Sequence, residues 1–135
     1  MNREILFKAR RKDNGEWVEG YYLNIAKINH FICTGKIKLD GALKGVIAPE
    51  MYEIDPDTIC QYTGLIDKNG QKIWENDIVH CGTKLRVSWH HFKASWVLSK
   101  KGWLYNHFFG EAVEPEDVEV VGNVLDNADL LEVEE

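Results

Sequence analysis

The stretch Thr63-Gly64-Leu65-Ile66-Asp67-Lys68-Asn69-Gly70-Gln71-Lys72-Ile73-Trp74 carries two short apolar segments, Leu65-Ile66 and Ile73-Trp74, on either side of a polar turn. Asn-Gly takes the positive φ angles of a hairpin turn at little steric cost, so the stretch predicts two antiparallel strands joined between Asp67 and Gly70. Glu75-Asn76-Asp77 predicts a second turn, which feeds a strand over Ile78-Val79-His80-Cys81. Short strands separated by polar glycine turns are the pattern of a sandwich or small barrel.

The flanks repeat that pattern. On the N-terminal side, residues 4–10 and 16–23 read as strands joined through Asp13-Asn14-Gly15, and residues 29–34 as a further short strand. Residues 35–49 hold Gly35, Gly41, Gly45 and Pro49 without a clear period, and predict a loop or flap with at most one short strand. Asp55-Pro56-Asp57 is a turn signal before a strand over residues 58–62. On the C-terminal side, Leu85, Val87 and Trp89 alternate with Arg86 and Ser88, as on a half-buried strand. Residues 94–98 and 103–109 have strand composition, with Lys100-Lys101-Gly102 as the turn between them. Residues 117–121 predict a closing strand, and Asp126-Asn127 predict the cap of one helical turn over residues 128–131.

At 135 residues, the chain is long enough to bury a core without a metal or disulfide. Its 44% hydrophobic and 28% charged content is that of a globular protein. Three cysteines, Cys33, Cys60 and Cys81, with no paired spacing read as buried thiols in a reducing compartment. No secretory signal and no apolar run of membrane-spanning length is readable, so the expected location is the cytoplasm, with no membrane partner.

Charge is unevenly placed. The net charge is −6, yet residues 111–135 hold 10 of the 22 acids and no Lys or Arg. Residues 78–110 contain no acid. They carry Lys84, Arg86, Lys93, Lys100 and Lys101, the histidines His80, His90, His91 and His107, and Trp89, Trp96 and Trp103. Lys84, Arg86, Trp89, His91, Lys93, Lys100, Lys101 and Trp103 therefore form the candidate binding face, since cations interleaved with aromatics suit single-stranded nucleic acid. The bland alternative puts the tryptophans in the core and leaves the lysines solvated. The acidic end reads first as a solvated tail, and alternatively as a segment folded against the basic one.

Catalytic and metal signatures are not readable. His80-Cys81 and His90-His91 would converge only if Val79 and Trp89 lay on paired strands, and adjacent residues on a strand face opposite ways. No phosphate loop or local nucleophile signature occurs, so no enzyme, no metal and no cofactor is expected.

Gln61-Tyr62-Thr63-Gly64-Leu65, Asp67, Asn69-Gly70, Ile73, Glu75 and Asp77-Ile78-Val79 together resemble the central signature of the YopX family, small proteins of phages and prophages. Phe7-Lys8-Ala9-Arg10 with Trp17 is similar to the family's opening, and residues 120–132 to its second motif. Asn76 stands where Gly is common, and residues 35–49 have no firm counterpart. The resemblance implies a mainly-β fold: an N-terminal β-hairpin region (1–57) packed on a small SH3-type barrel (58–125), with a short C-terminal helical turn and an acidic tail (126–135). It implies a bacterial cytoplasm and no established activity. The function expected is a non-enzymatic protein-interaction or assembly module, with a protein partner or homo-oligomer. The alternative is a nucleic-acid-binding accessory protein using residues 78–110. The signature itself reads as architecture, because turn chemistry accounts for its residue types.

Overall fold

A computed structural model describes residues 5–40, 46–100, 107–109 and 113–131. The chain is mainly β and divides into two units, Met1–Gln61 and Tyr62–Glu135. Among the described residues every strand ladder is antiparallel, and the one parallel pairing is an isolated bridge between Phe109 and Val113.

In the first unit, β1 (Phe7–Arg10), β2 (Trp17–Ile25), β3 (Asn29–Asp40) and β4 (Val46–Glu53) pair in sequence, and β1 also pairs with Cys60 and Gln61. The core face carries Ala9, Val18 and Ile32 with Ile54, backed by Phe7, Tyr22 and Tyr52. Gly20 belongs to that face for lack of a side chain: a Cβ there would lie 2.1 Å from the Cys33 carbonyl oxygen. The Asp55-Pro56-Asp57 signal folds as a 3-10 turn over Pro56–Thr58, capped where the Asp57 N–H donates to Asp55 Oδ1.

The expected loop over residues 35–49 is corrected. β3 runs on to Asp40, and β4 begins at Val46, with Ile37 paired to Pro49. A register shift between Cys33 and Ile37 absorbs the irregular sequence. Among the described residues β4 ends its sheet, and an edge strand is where a residue without an N–H is tolerated, which accommodates Pro49. Gly41 and Gly45 lie outside the described residues.

In the second unit, Tyr62 to Ile66 of β5 (Cys60–Ile66) pairs with β6 (Lys72–Trp74). A five-stranded sheet follows, in the order β10-β9-β8-β7-β11, from β7 (Asp77–His80), β8 (Lys84–His90), β9 (Ser95–Ser99), β10 (His107–Phe108) and β11 (Glu119–Asn123). Its core face presents Val79, Leu85, Val87, Trp96 and Leu98, covered by Ile73 of β6 and by Val118. That sheet lies in the stretch expected to form an SH3-type barrel, but it ends at β10 and β11, and no sheet closes on itself among the described residues.

The acidic segment is not simply a solvated tail. Val118 is fully buried, β11 pairs with β7, and α1 (Val124–Asn127) continues into a 3-10 turn over Ala128–Leu131. The cap is Asn123, whose side chain accepts from the Asp126 N–H, rather than Asp126 or Asn127. The Lys100-Lys101-Gly102 turn, most of the 103–109 strand and residues 132–135 fall wholly or partly outside the described residues.

Candidate functional site

The central signature builds structure. Asp67 is 4% exposed, yet its carboxylate accepts three backbone N–H groups: Asn69 (2.8 Å) and Gln71 (2.9 Å) on Oδ1, and Val120 (3.0 Å) on Oδ2. Burial pushes its pKa up, but the donors of Val120, Gln71 and Asn69 outweigh burial and hold it below the usual carboxylate value. The Lys68 N–H also donates to the Val118 carbonyl at 3.0 Å. The turn thus occupies backbone groups on the outer edge of β11 and shields that edge from strand addition. Thr63 Oγ1 donates to the Ile73 carbonyl (2.7 Å), and Asp77 Oδ2 accepts from the Trp74 N–H (2.8 Å). Gly64 and Gly70 have φ of +85° and +79°. Asn76 has φ of +70°, so a position where glycine is common is filled by a residue that tolerates this region.

The sequence-predicted binding face is spread along the β8–β9 ladder. Lys84 and Arg86 lie at one end; Arg86 donates to Asn76 Oδ1 (2.8 Å), and Lys100 donates to Thr83 Oγ1 (2.6 Å). His91 and Lys93 are exposed in the hairpin at the other end. Lys84 to His90 spans seven residues, roughly 20 Å of strand. Trp89 is 38% exposed and meets the buried Trp96 edge-on, with ring centroids 5.0 Å apart. Lys101 and Trp103 lie outside the described residues. Leu85 and Val87 are buried as their alternation predicts, while Trp89 continues the same face at its open end.

The two His pairs do not converge. β7 and β8 do pair, but Val79 faces Leu85 and His80 faces Lys84, whereas His90 faces Ser95. Among the described residues no three His, Cys, Asp or Glu side chains gather as a metal-ligand set. None of the three cysteines forms a disulfide; Cys60 is buried and its Sγ donates to the Thr58 carbonyl at 3.4 Å, while Cys33 and Cys81 are only half-buried. Burial, with a smaller contribution from Asp117, pushes the Cys81 thiol pKa up.

Two surfaces carry exposed apolar residues that were not singled out from the sequence, although His91 and Lys93 in the second of them were. On β2, Tyr21, Leu23 and Ile25 are 56%, 43% and 46% exposed, and they sit on the face opposite Val18, Gly20 and Tyr22. Their partners on β3, Cys33, Phe31 and Asn29, extend this surface. At the hairpin tip Ala26 and Lys27 hold φ of +56° and +60°, and Ile28 beyond them is 77% exposed. The available signal was the unbroken run Tyr21-Tyr22-Leu23: an apolar strand without alternation has two apolar faces, and only one is needed for the core.

The second surface is the β8–β9 tip. Phe92 is 96% exposed, with its ring 6.4 Å from that of His90. An open groove of about 420 Å³ beside it is lined by Lys93, Ser95, Phe108 and Phe109. The Lys93 N–H donates to His90 Nδ1 at 3.2 Å, which fixes the imidazole against the turn.

A chain built from antiparallel ladders, with a turn-forming central signature and exposed apolar strand faces, has the make-up of a small β-rich protein. The YopX protein family model matches residues 6–132, and the chain belongs to that family. No curated protein matches the chain. Among the described residues no helix is long and apolar enough to cross a membrane.

Proposed function

We propose that this protein acts by binding rather than catalysis, as a protein-interaction or assembly module of a phage or prophage in the bacterial cytoplasm. The observation that carries this reading is the exposed row Tyr21, Leu23 and Ile25 on β2. Contiguous apolar surface of this kind marks contact sites, because leaving it in water forgoes burial worth about 25 cal/mol per Å². The neighbouring turn supports the same reading: Ala26 and Lys27 hold left-handed backbone that non-glycine residues adopt at a cost, and such strain collects at functional sites. The signature residues Thr63, Asp67 and Asp77 are committed to backbone hydrogen bonds, which is the work of a scaffold.

The test is site-specific photo-crosslinking in the cell. A photoreactive residue at Leu23 is expected to give a discrete covalent adduct with a protein, and the same residue at exposed Asp57 is expected to give none. No adduct from Tyr21, Leu23 or Ile25 would remove this surface from consideration.

A further inference from the structure

We propose that the β8–β9 hairpin tip is a second, separate site that binds single-stranded nucleic acid. The ring of Phe92 is 96% exposed, although phenylalanine gains more from burial than most side chains. It stands next to Lys93, and Lys93 lines the open groove together with Ser95, Phe108 and Phe109. Phe108 pairs with Val97 and Ser95 with His90, so Phe108, Ser95 and His90 rise on the same face of the sheet, opposite the face that holds Trp89, Trp96 and the core. The groove therefore offers two kinds of contact side by side: the Phe108 and Phe109 rings, against which a base can stack, and Lys93 with the Ser95 hydroxyl for the backbone.

Charge points to the same ligand. Residues 78–110 contain no acid, so Lys93 at the tip stands among neutral and basic neighbours along the chain, although the chain as a whole carries −6. An open groove of about 420 Å³ lies within the size range of small-ligand sites and suits one nucleotide rather than a double helix. A duplex keeps its bases stacked on each other and presents none to Phe92 or Phe108. A single strand has free base faces, and stacking on them is tolerant of sequence.

The experiment is fluorescence anisotropy on the full chain with single-stranded DNA, single-stranded RNA, duplex DNA and anionic vesicles, from low to moderate salt. The expected result is binding to single strands over duplex and vesicles, weakened roughly tenfold by Phe92→Ala and retained in Phe92→Trp. Lys93→Ala is expected to reduce the slope of log affinity against log salt by about 0.7, the share of one phosphate on a single strand. Phe92 is nearly fully exposed, so its substitution leaves the core intact, and matched thermal melts verify this. No binding at low salt overturns the proposal. So does binding that neither Phe92→Ala nor Lys93→Ala changes, duplex affinity equal to that for single strands, or a Phe92-dependent preference for vesicles. The photo-crosslinking result at Leu23 bears on the other surface and leaves this one untouched.

Discussion

At the residue scale, Asp67 shows how one side chain sets a local fold. It sits in a sequence where Asn-Gly alone predicts a hairpin, but its two oxygens reach further than the turn. One oxygen binds the N–H groups of Asn69 and Gln71, and the other binds Val120, 53 positions away. Asp67→Asn keeps an oxygen for the turn and places an amide NH2, which cannot accept, against the Val120 N–H. The expected cost is about 2–3 kcal/mol, read as a lower denaturation midpoint at unchanged m. The pH dependence follows from the sign of the shift. The folded pKa of Asp67 lies below its ordinary value, so its contribution is complete above about pH 4 and is lost as pH falls through the folded value. The gap between the native chain and Asp67→Asn is therefore expected to narrow below about pH 4, in denaturation curves taken at stepped pH. A constant gap down to acid pH would mean that folding leaves the Asp67 pKa unshifted, and a gap that widens in acid would mean that the carboxyl is protonated in the fold.

At the element scale, the β2–β3 hairpin combines a strained turn with an exposed face. The Ile28 N–H closes the turn on the Ile25 carbonyl at 3.2 Å, with positive φ at both Ala26 and Lys27. Asn-Gly is the pair suited to that geometry, and the chain has it at Asn14-Gly15 and Asn69-Gly70 but not here. Replacing Ala26 by Asn and Lys27 by Gly together is expected to stabilise the chain by about 1–2 kcal/mol, since left-handed backbone costs ordinary residues about that much each and Asn and Gly less. A denaturant titration measures it; a loss of stability would show that the two side chains make contacts worth more than the strain. This hairpin also marks the limit of what the sequence discloses. β1, β2 and β5 to β9 were legible because apolar alternation and turn residues agree there. β4 was not, because Pro49 and three glycines between 35 and 45 imitate a loop, and pairing with β3 overrides local preference. The exposed row on β2 was hidden for a related reason: Tyr21 and Leu23 look like core residues until the pleat assigns them a side.

At the scale of the whole molecule, the acidic C-terminal stretch is the part whose role changes most between composition and structure. Ten acids without a Lys or Arg read as a solubilising tail, and a tail can be removed freely. Within that stretch, however, Val118 is 0% exposed in the core of the second unit, and β11 pairs with β7 along Asp77 to His80. The turn after β11 is packed as well: a Cβ on Gly122 would lie 3.1 Å from Leu130 Cδ1. Strand pairing depends on the small buried face, so the acids on the other positions cost the fold little and were no guide to order. A chain ending before Glu111 therefore loses an edge strand, a core valine and the Asp67 partner at once. The expected cost exceeds about 5 kcal/mol, comparable to the stability of a small domain. Near-UV circular dichroism of the truncated chain is expected to lose the signal of the packed Trp74 and Trp96, which the full chain retains. Retention of that signal would show that β7 to β9 hold together without β11. The result also governs how the nucleic-acid site must be tested. If truncation unfolds the second unit, any gain in DNA affinity measures a loose basic chain rather than an unmasked groove, and only point substitutions such as Phe92→Ala report on the folded hairpin tip.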